Sequence, residues 1–243
     1  MDIRRRSADL AIIAALVIAA SAAIAVLWQH PFLLTALLLL PSLVLGWRLG
    51  DLRRALVLAA VGLALGPATE MCCVAGGIWR YVETGGLPLV PPWIFPLWTC
   101  FAAALWLIGR AVLGADPDDS TPATTLIWAV GGIGVEIVMF VTLGHNTSLA
   151  LLAAVPFAVL LLLRRRRGLT ALFLVAGSLI GPVCESLPIA TGAWSYRLPE
   201  LLGMPAWLPL GYGIFATLVA YAAEAVMAVV FRRAIEIAPA ASR

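Results

Sequence analysis

The sequence has no lysine; all 16 basic residues are arginine, a choice read as coding bias rather than function. Charge of either sign is scarce: Asp, Glu, Lys and Arg make up 12% of 243 residues, about half the share of an ordinary soluble domain. That scarcity excludes a soluble helical bundle, in which every helix needs a polar face, and no nucleic-acid partner is expected. Cysteine is rare too. Cys72, Cys73, Cys100 and Cys184 form no CxxC pair and all sit in apolar segments, so they read as small buried hydrophobes rather than disulfide partners or metal ligands. With two histidines and no HxxE or HExxH spacing, no metal and no cofactor is expected.

What the chain has is apolar length. It is 63% hydrophobic, with a mean hydropathy of +1.02, and its long apolar runs predict an all-α integral membrane protein. Eight transmembrane spans can be drawn, at roughly 8–28, 31–47, 55–78, 93–113, 123–144, 147–163, 168–191 and 206–231. The second and sixth are short. The first follows MDIRRR and resembles a signal peptide, but its apolar run is too long for one and reads as a retained helix. With these spans, every arginine up to Arg233 except Arg80 and Arg197 falls on one side. The positive-inside rule makes that side cytoplasmic, giving a multi-pass cell-membrane protein with both termini inside. The run Arg164 to Arg167 reads as part of this topology signal, and ADPDDSTP at 115–122 as a solvated cytoplasmic linker.

The linker divides two related halves, 1–114 and 123–243. At an offset of 115, His30 falls on His145, Pro41 on Pro156 and Gly62 on Gly177. Gly66, Pro67 and Glu70 fall on Gly181, Pro182 and Glu185, and Gly77, Trp79 and Tyr81 on Gly192, Trp194 and Tyr196. Beyond that point a two-residue insertion is expected, pairing Arg80 with Arg197, Glu83 with Glu200, Pro88 with Pro205 and Pro92 with Pro209. Each half holds four spans, so the expectation is two parallel four-helix repeats about a pseudo-twofold axis along the membrane normal.

The repeated phrase carries the candidate chemistry. Gly62, Gly66 and Glu70 are four apart and share one helical face, as do Gly177, Gly181 and Glu185. Small residues at this spacing bring helix backbones close, so the glutamates should face a helix contact or a cavity, not acyl chains. An ionised acid at mid-bilayer costs about 3 kcal/mol, which predicts that at least one of the two is protonated at neutral pH. Such an acid either hydrogen-bonds neighbouring helices or donates a proton. Glu136 and Glu224 are also embedded and have no acidic repeat mate; Tyr221 and Tyr212 share the span of Glu224. Trp79, Tyr81, Trp194 and Tyr196 form either an interfacial aromatic belt or the wall of a pocket. His30 and His145 read as interface residues or as relays to the glutamates.

The phrase ESLPIATGAWSY, an acid followed by Gly-x-Trp-x-Tyr, resembles the lycopene cyclase-domain and carotenoid hydratase proteins, although their Pro-x-Glu-Glu element is absent. An acid on an early span (Glu70) and one on the last (Glu224) resembles the membrane-embedded meroterpenoid and indole-sesquiterpene cyclases. These resemblances imply a metal-independent cyclase or hydratase acting on an apolar isoprenoid-like molecule, with Glu70, Glu185 and Glu224 catalytic. They also imply substrate contacts from Trp79, Tyr81, Trp194, Tyr196, Tyr212, Tyr221, His30 and His145. Two other functions stay open: a proton-coupled transporter with its site at the repeat interface, and a non-catalytic membrane assembly or lipid-binding protein.

Overall fold

The computed structural model describes residues 3–114, 124–164 and 167–237; the linker at 115–122 and Arg165 and Arg166 lie outside them. Among the described residues the order is α1 (Ile3–Leu27), α2 (Pro31–Leu49), α3 (Leu52–Ala75), β1 (Trp79–Tyr81), α4 (Ile94–Leu113), α5 (Thr124–Leu143), α6 (Thr147–Leu163), α7 (Arg167–Ala190), β2 (Trp194–Tyr196) and α8 (Leu208–Ile237). Seven of these helices are long and apolar enough to cross a membrane, and α6 is an apolar helix of 17 residues. The chain is an all-α integral membrane protein of two four-helix repeats.

Helix boundaries follow local chemistry. Pro31 starts α2, where its missing N–H costs nothing, and Gly50 ends it in the left-handed conformation. The Asp51 carboxylate then caps α3 by accepting from the amides of Arg53 (2.8 Å) and Arg54 (3.3 Å). Asn146 caps α6 in the same way, through the Leu149 amide. Each half closes its third helix on a glycine of positive φ, Gly77 or Gly192, which turns the chain into the short strand.

Helices α4 and α8 are the most deeply buried spans, while α1 and α2 show most of their surface to the outside. Large apolar residues such as Leu43, Trp47 and Val135 cover that outer face, as a lipid-facing surface requires. Within each half the third helix packs on the fourth, α3 on α4 and α7 on α8. The first helices cross over: α1 packs on α7, and α5 on α3. The halves are therefore interlocked.

The twofold axis can be placed by residue. Strands β1 and β2 pair antiparallel, Trp79 opposite Tyr196, Arg80 opposite Ser195 and Tyr81 opposite Trp194. A register of this kind, in which repeat mates exchange places, centres the axis on the Arg80–Ser195 pair. Arg80 Nε lies 3.3 Å from the Ser195 hydroxyl oxygen, to which it donates. Lower in the bundle, Phe101 and Phe215 meet with ring centres 6.3 Å apart. This geometry corrects the repeat alignment beyond the strands. The expected two-residue insertion does not carry into α4 and α8. Helix α4 superposes on α8 at an offset of 114, with Trp93 on Trp207, Trp98 on Tyr212 and Ala102 on Ala216. Proline positions in the loops gave the wrong register because a longer loop is compensated before the next helix starts.

Candidate functional site

The glycine-glutamate faces do what their spacing requires. A Cβ on Gly66 would run into the Trp98 ring, and one on Gly181 into the Tyr212 ring. The glycines thus seat an aromatic side chain of the next helix directly against α3 or α7. One turn farther on, the glutamate binds that same aromatic. Glu70 is 6% exposed and Glu185 8%.

Glu70 accepts three hydrogen bonds. Its Oε2 takes the Trp79 indole N–H (3.1 Å) and the Tyr81 hydroxyl (2.8 Å), and its Oε1 takes the Trp98 indole N–H (3.2 Å). Glu185 Oε2 accepts from the Tyr196 hydroxyl at 2.6 Å, and Oε1 from the Tyr212 hydroxyl. Each acid therefore ties its own helix to the strand that follows it and to the helix after that. An indole N–H only donates, so Glu70 is held as an acceptor on both oxygens.

Above the glutamates the strand residues form an aromatic cap. Tyr81 stands edge-on to Trp93, with centres 5.6 Å apart, and Trp194 contacts both Tyr81 (5.7 Å) and Trp93 (6.0 Å). Below the cap lies a cleft with about 1040 Å³ of open space, its mouth included, between α1, α2, α4 and α7. Its walls are almost wholly apolar, from Ile13 and Leu16 through Leu97, Ala104 and Ile108 to Ile180. Polar groups gather at the capped end: Glu70, Glu185, Tyr81, Tyr212, Ser21 and the Trp93 indole. The Trp93 N–H is buried and has no hydrogen-bond partner among the described residues. Ser21 on α1 is occupied, because its hydroxyl donates to the Cys184 carbonyl at 2.8 Å. That carbonyl lies four residues before Pro188, which has no N–H to offer it.

A second cleft lies between α3, α5 and α8, with about 510 Å³ of open space. It is the twofold mate of the first. Trp207, Leu208, Gly211 and Phe215 stand where the first cleft has Trp93, Ile94, Leu97 and Phe101, and Glu136 stands where it has Ser21. The two clefts share Glu70, Trp98 and Tyr212 as a partition.

Of the candidate residues, the structure gathers Glu70, Glu185, Trp79, Tyr81, Trp194, Tyr196 and Tyr212 around this partition. Glu224 is buried elsewhere, in a small pocket with Trp106 and Phe173, about 18 Å along α8 from Tyr212. Tyr221 hydrogen-bonds Thr170 on α7. His30 and His145 are exposed in the turns before α2 and α6 and line neither cleft. No group of His, Cys, Asp and Glu able to hold a metal occurs among the described residues.

No family model matches the chain, and no curated protein matches it. Two solved structures share its fold. One is a mycobacterial Insig homologue, MvINS from Mycobacterium vanbaalenii, with a TM-score of 0.58 and 24% identity. The other is a cross-linked MvINS trimer, with a TM-score of 0.61 and 22% identity. Each likeness covers 73% of this chain and 96% of the other. The fold is thus that of an Insig homologue, and the resemblance to terpene cyclases, lycopene cyclase-domain proteins and carotenoid hydratases is withdrawn. The physical reason is plain at the site. The two acids that suggested a cyclase, Glu70 and Glu224, do not face a common cavity, and both oxygens of Glu70 are already engaged as acceptors.

Sequence reasoning missed several residues. Trp93, Trp98 and Ser21 carried no repeated motif, and the first two became visible as partners only once the α4–α8 register was corrected. It also missed Asp9, which is 1% exposed in α1. Asp9 accepts from Arg48 Nε (2.9 Å) and from Arg110 (3.5 Å), while Arg110 also donates to the Arg48 and Leu49 carbonyls. An acid close behind three arginines at the head of an apolar span was the available signal.

Proposed function

We propose that the protein binds an apolar amphiphile within the bilayer without transforming it. The observation that carries this reading is the larger cleft. It has an apolar body, a polar and aromatic end, and one unpartnered donor, the Trp93 N–H, at that end. The occupant lies along α1, α4 and α7 with its polar group, an acceptor such as a carbonyl or hydroxyl oxygen, beneath the cap at Trp93. The glutamates act as structural acceptors that hold the cap and partition in place. The arginine distribution supports an orientation with both termini in the cytoplasm and the strand pair on the opposite side. The fold likeness to an Insig homologue agrees with a binding rather than a catalytic role.

The test is extraction of the purified full chain with organic solvent followed by mass spectrometry, for wild type, Ala104→Trp and Trp93→Phe. Wild type should carry a defined amphiphile. Ala104→Trp, which fills the cleft, should carry none, and Trp93→Phe should carry less. An empty wild-type extract, or equal loading of Ala104→Trp, would overturn the reading.

A further inference from the structure

The smaller cleft repeats the frame of the larger one but reverses its unmet hydrogen bond. In the larger cleft Ser21 is satisfied and the Trp93 N–H is not. In the smaller, the mate of Trp93, Trp207, donates to the Gly144 carbonyl at 3.0 Å, and the mate of Ser21 is Glu136. Glu136 is 4% exposed, and its Oε2 has no hydrogen-bond partner among the described residues. A buried carboxyl oxygen left unpaired is costly, and the walls of the cleft are otherwise largely apolar and aromatic.

We propose that this cleft is a second binding site, for the hydroxyl end of a slender apolar chain, with Glu136 as its anchor. A hydroxyl both donates and accepts, so it satisfies a carboxylate or a carboxylic acid equally well. A hydrocarbon satisfies neither form, and an ether or ester, which only accepts, satisfies the acid but not the carboxylate. The chain must be thin because Phe140, one of the lining residues, stacks on Trp207 with centres 4.1 Å apart. The site is built from α5 and α8 and goes beyond the function proposed for the larger cleft. The two share only the partition of Glu70, Trp98 and Tyr212.

The experiment uses the purified full chain in detergent and a straight-chain dodecanol carrying a mid-chain diazirine as photolabel, with adducts mapped by mass spectrometry. Adducts are expected on α5 and α8 around Ile137 and Phe215. Unlabelled dodecanol should displace them and dodecane should not. Glu136→Leu should reduce them by about tenfold, the share of roughly one hydrogen bond to an acid. Glu136→Gln, whose amide still donates and accepts, should retain them. Equal labelling of Glu136→Leu overturns the site, as does displacement by dodecane as strong as that by the alcohol. Absence of adducts on these two helices also overturns it, leaving water as the partner of Glu136. If Glu136→Leu does not fold, the competition series on wild type and Glu136→Gln still decides. Adducts on Ile13 and Ala104 report the larger cleft separately, so failure of one site is distinguishable from failure of the other.

Discussion

The larger cleft and its twofold mate are framed alike and floored differently. In each, a glutamate one turn beyond a glycine pair binds the tyrosine of the following strand and an aromatic of the next helix. These partners all come from the glutamate's own half, so each copy of the repeat carries a complete frame. The floors come from α1 and α5, which pack on helices of both halves, and there the copies have diverged: Ser21 against Glu136. Duplication preserved the glutamate and its hydrogen-bonded frame and freed the first helix of each repeat. The arginine-rich end shows the same divergence, since Arg110, held by Asp9, has Glu224 as its mate at an offset of 114.

Substitutions can break or sharpen this comparison. The largest effect is expected where the frames are identical. Gly66→Val and Gly181→Val should each prevent a well-folded protein, because their side chains meet the Trp98 and Tyr212 rings. Size-exclusion profiles in detergent check this, and a monodisperse variant of either kind would show that the glycine contact is dispensable. Next come the glutamates, which should part company. No orientation of an amide at position 70 avoids facing an indole donor or crowding Trp79 and Tyr81, so Glu70→Gln should cost about 2 kcal/mol. At position 185 the Tyr212 hydroxyl can turn to accept from the amide, so Glu185→Gln should melt closer to wild type. Equal losses would mean that the difference between indole and hydroxyl donors is unimportant.

The third contrast concerns the two tryptophans under the cap. Trp207→Phe gives up a bond to the Gly144 carbonyl and should lose about 1 kcal/mol in the delipidated protein. Trp93→Phe gives up no bond to the described residues, so its loss should appear mainly when the proposed amphiphile is bound. Thermal unfolding with and without delipidation separates the two.

The smallest effect lies at the surface, in one half only. Glu200 accepts from the Ala206 amide and from Thr147, and these bonds hold its carboxyl below the ordinary glutamate range. A lowered native value means the contact contributes fully above the ordinary value and is lost as pH falls through the lowered one. The protection factor of the Ala206 amide against hydrogen exchange, taken relative to its intrinsic rate at each pH, should therefore fall on acidification in wild type, and Glu200→Gln should flatten that dependence.

The spans and the duplication were legible because both are written in local patterns, apolar length and a repeated Gly-Pro-Glu phrase. The glutamate faces were legible from spacing alone. The hydrogen-bond partners on α4 and α8 were not. Trp98 and Tyr212 are different residue types, and the loops before them differ in length, so matching prolines misaligned the helices. The three-residue strands carried no alternation long enough to announce a sheet. Asp9 meets Arg48 and Arg110 only because three helices converge there, and no stretch of one helix records that. The contrast between Ser21 and Glu136 was half visible: Glu136 stood out as an acid without an acidic mate, but the cleft it serves is formed by helices far apart in sequence.

The strand pair on the axis has a consequence for the order of assembly. Tyr81 belongs to the first half and Trp194 to the second, and both are needed to close the roof over the larger cleft. During synthesis the first four helices exist before residue 194 does. The roof is therefore closed only after the walls of α1, α2, α4 and α7 have been made, and the first half alone leaves the capped end open until β2 arrives.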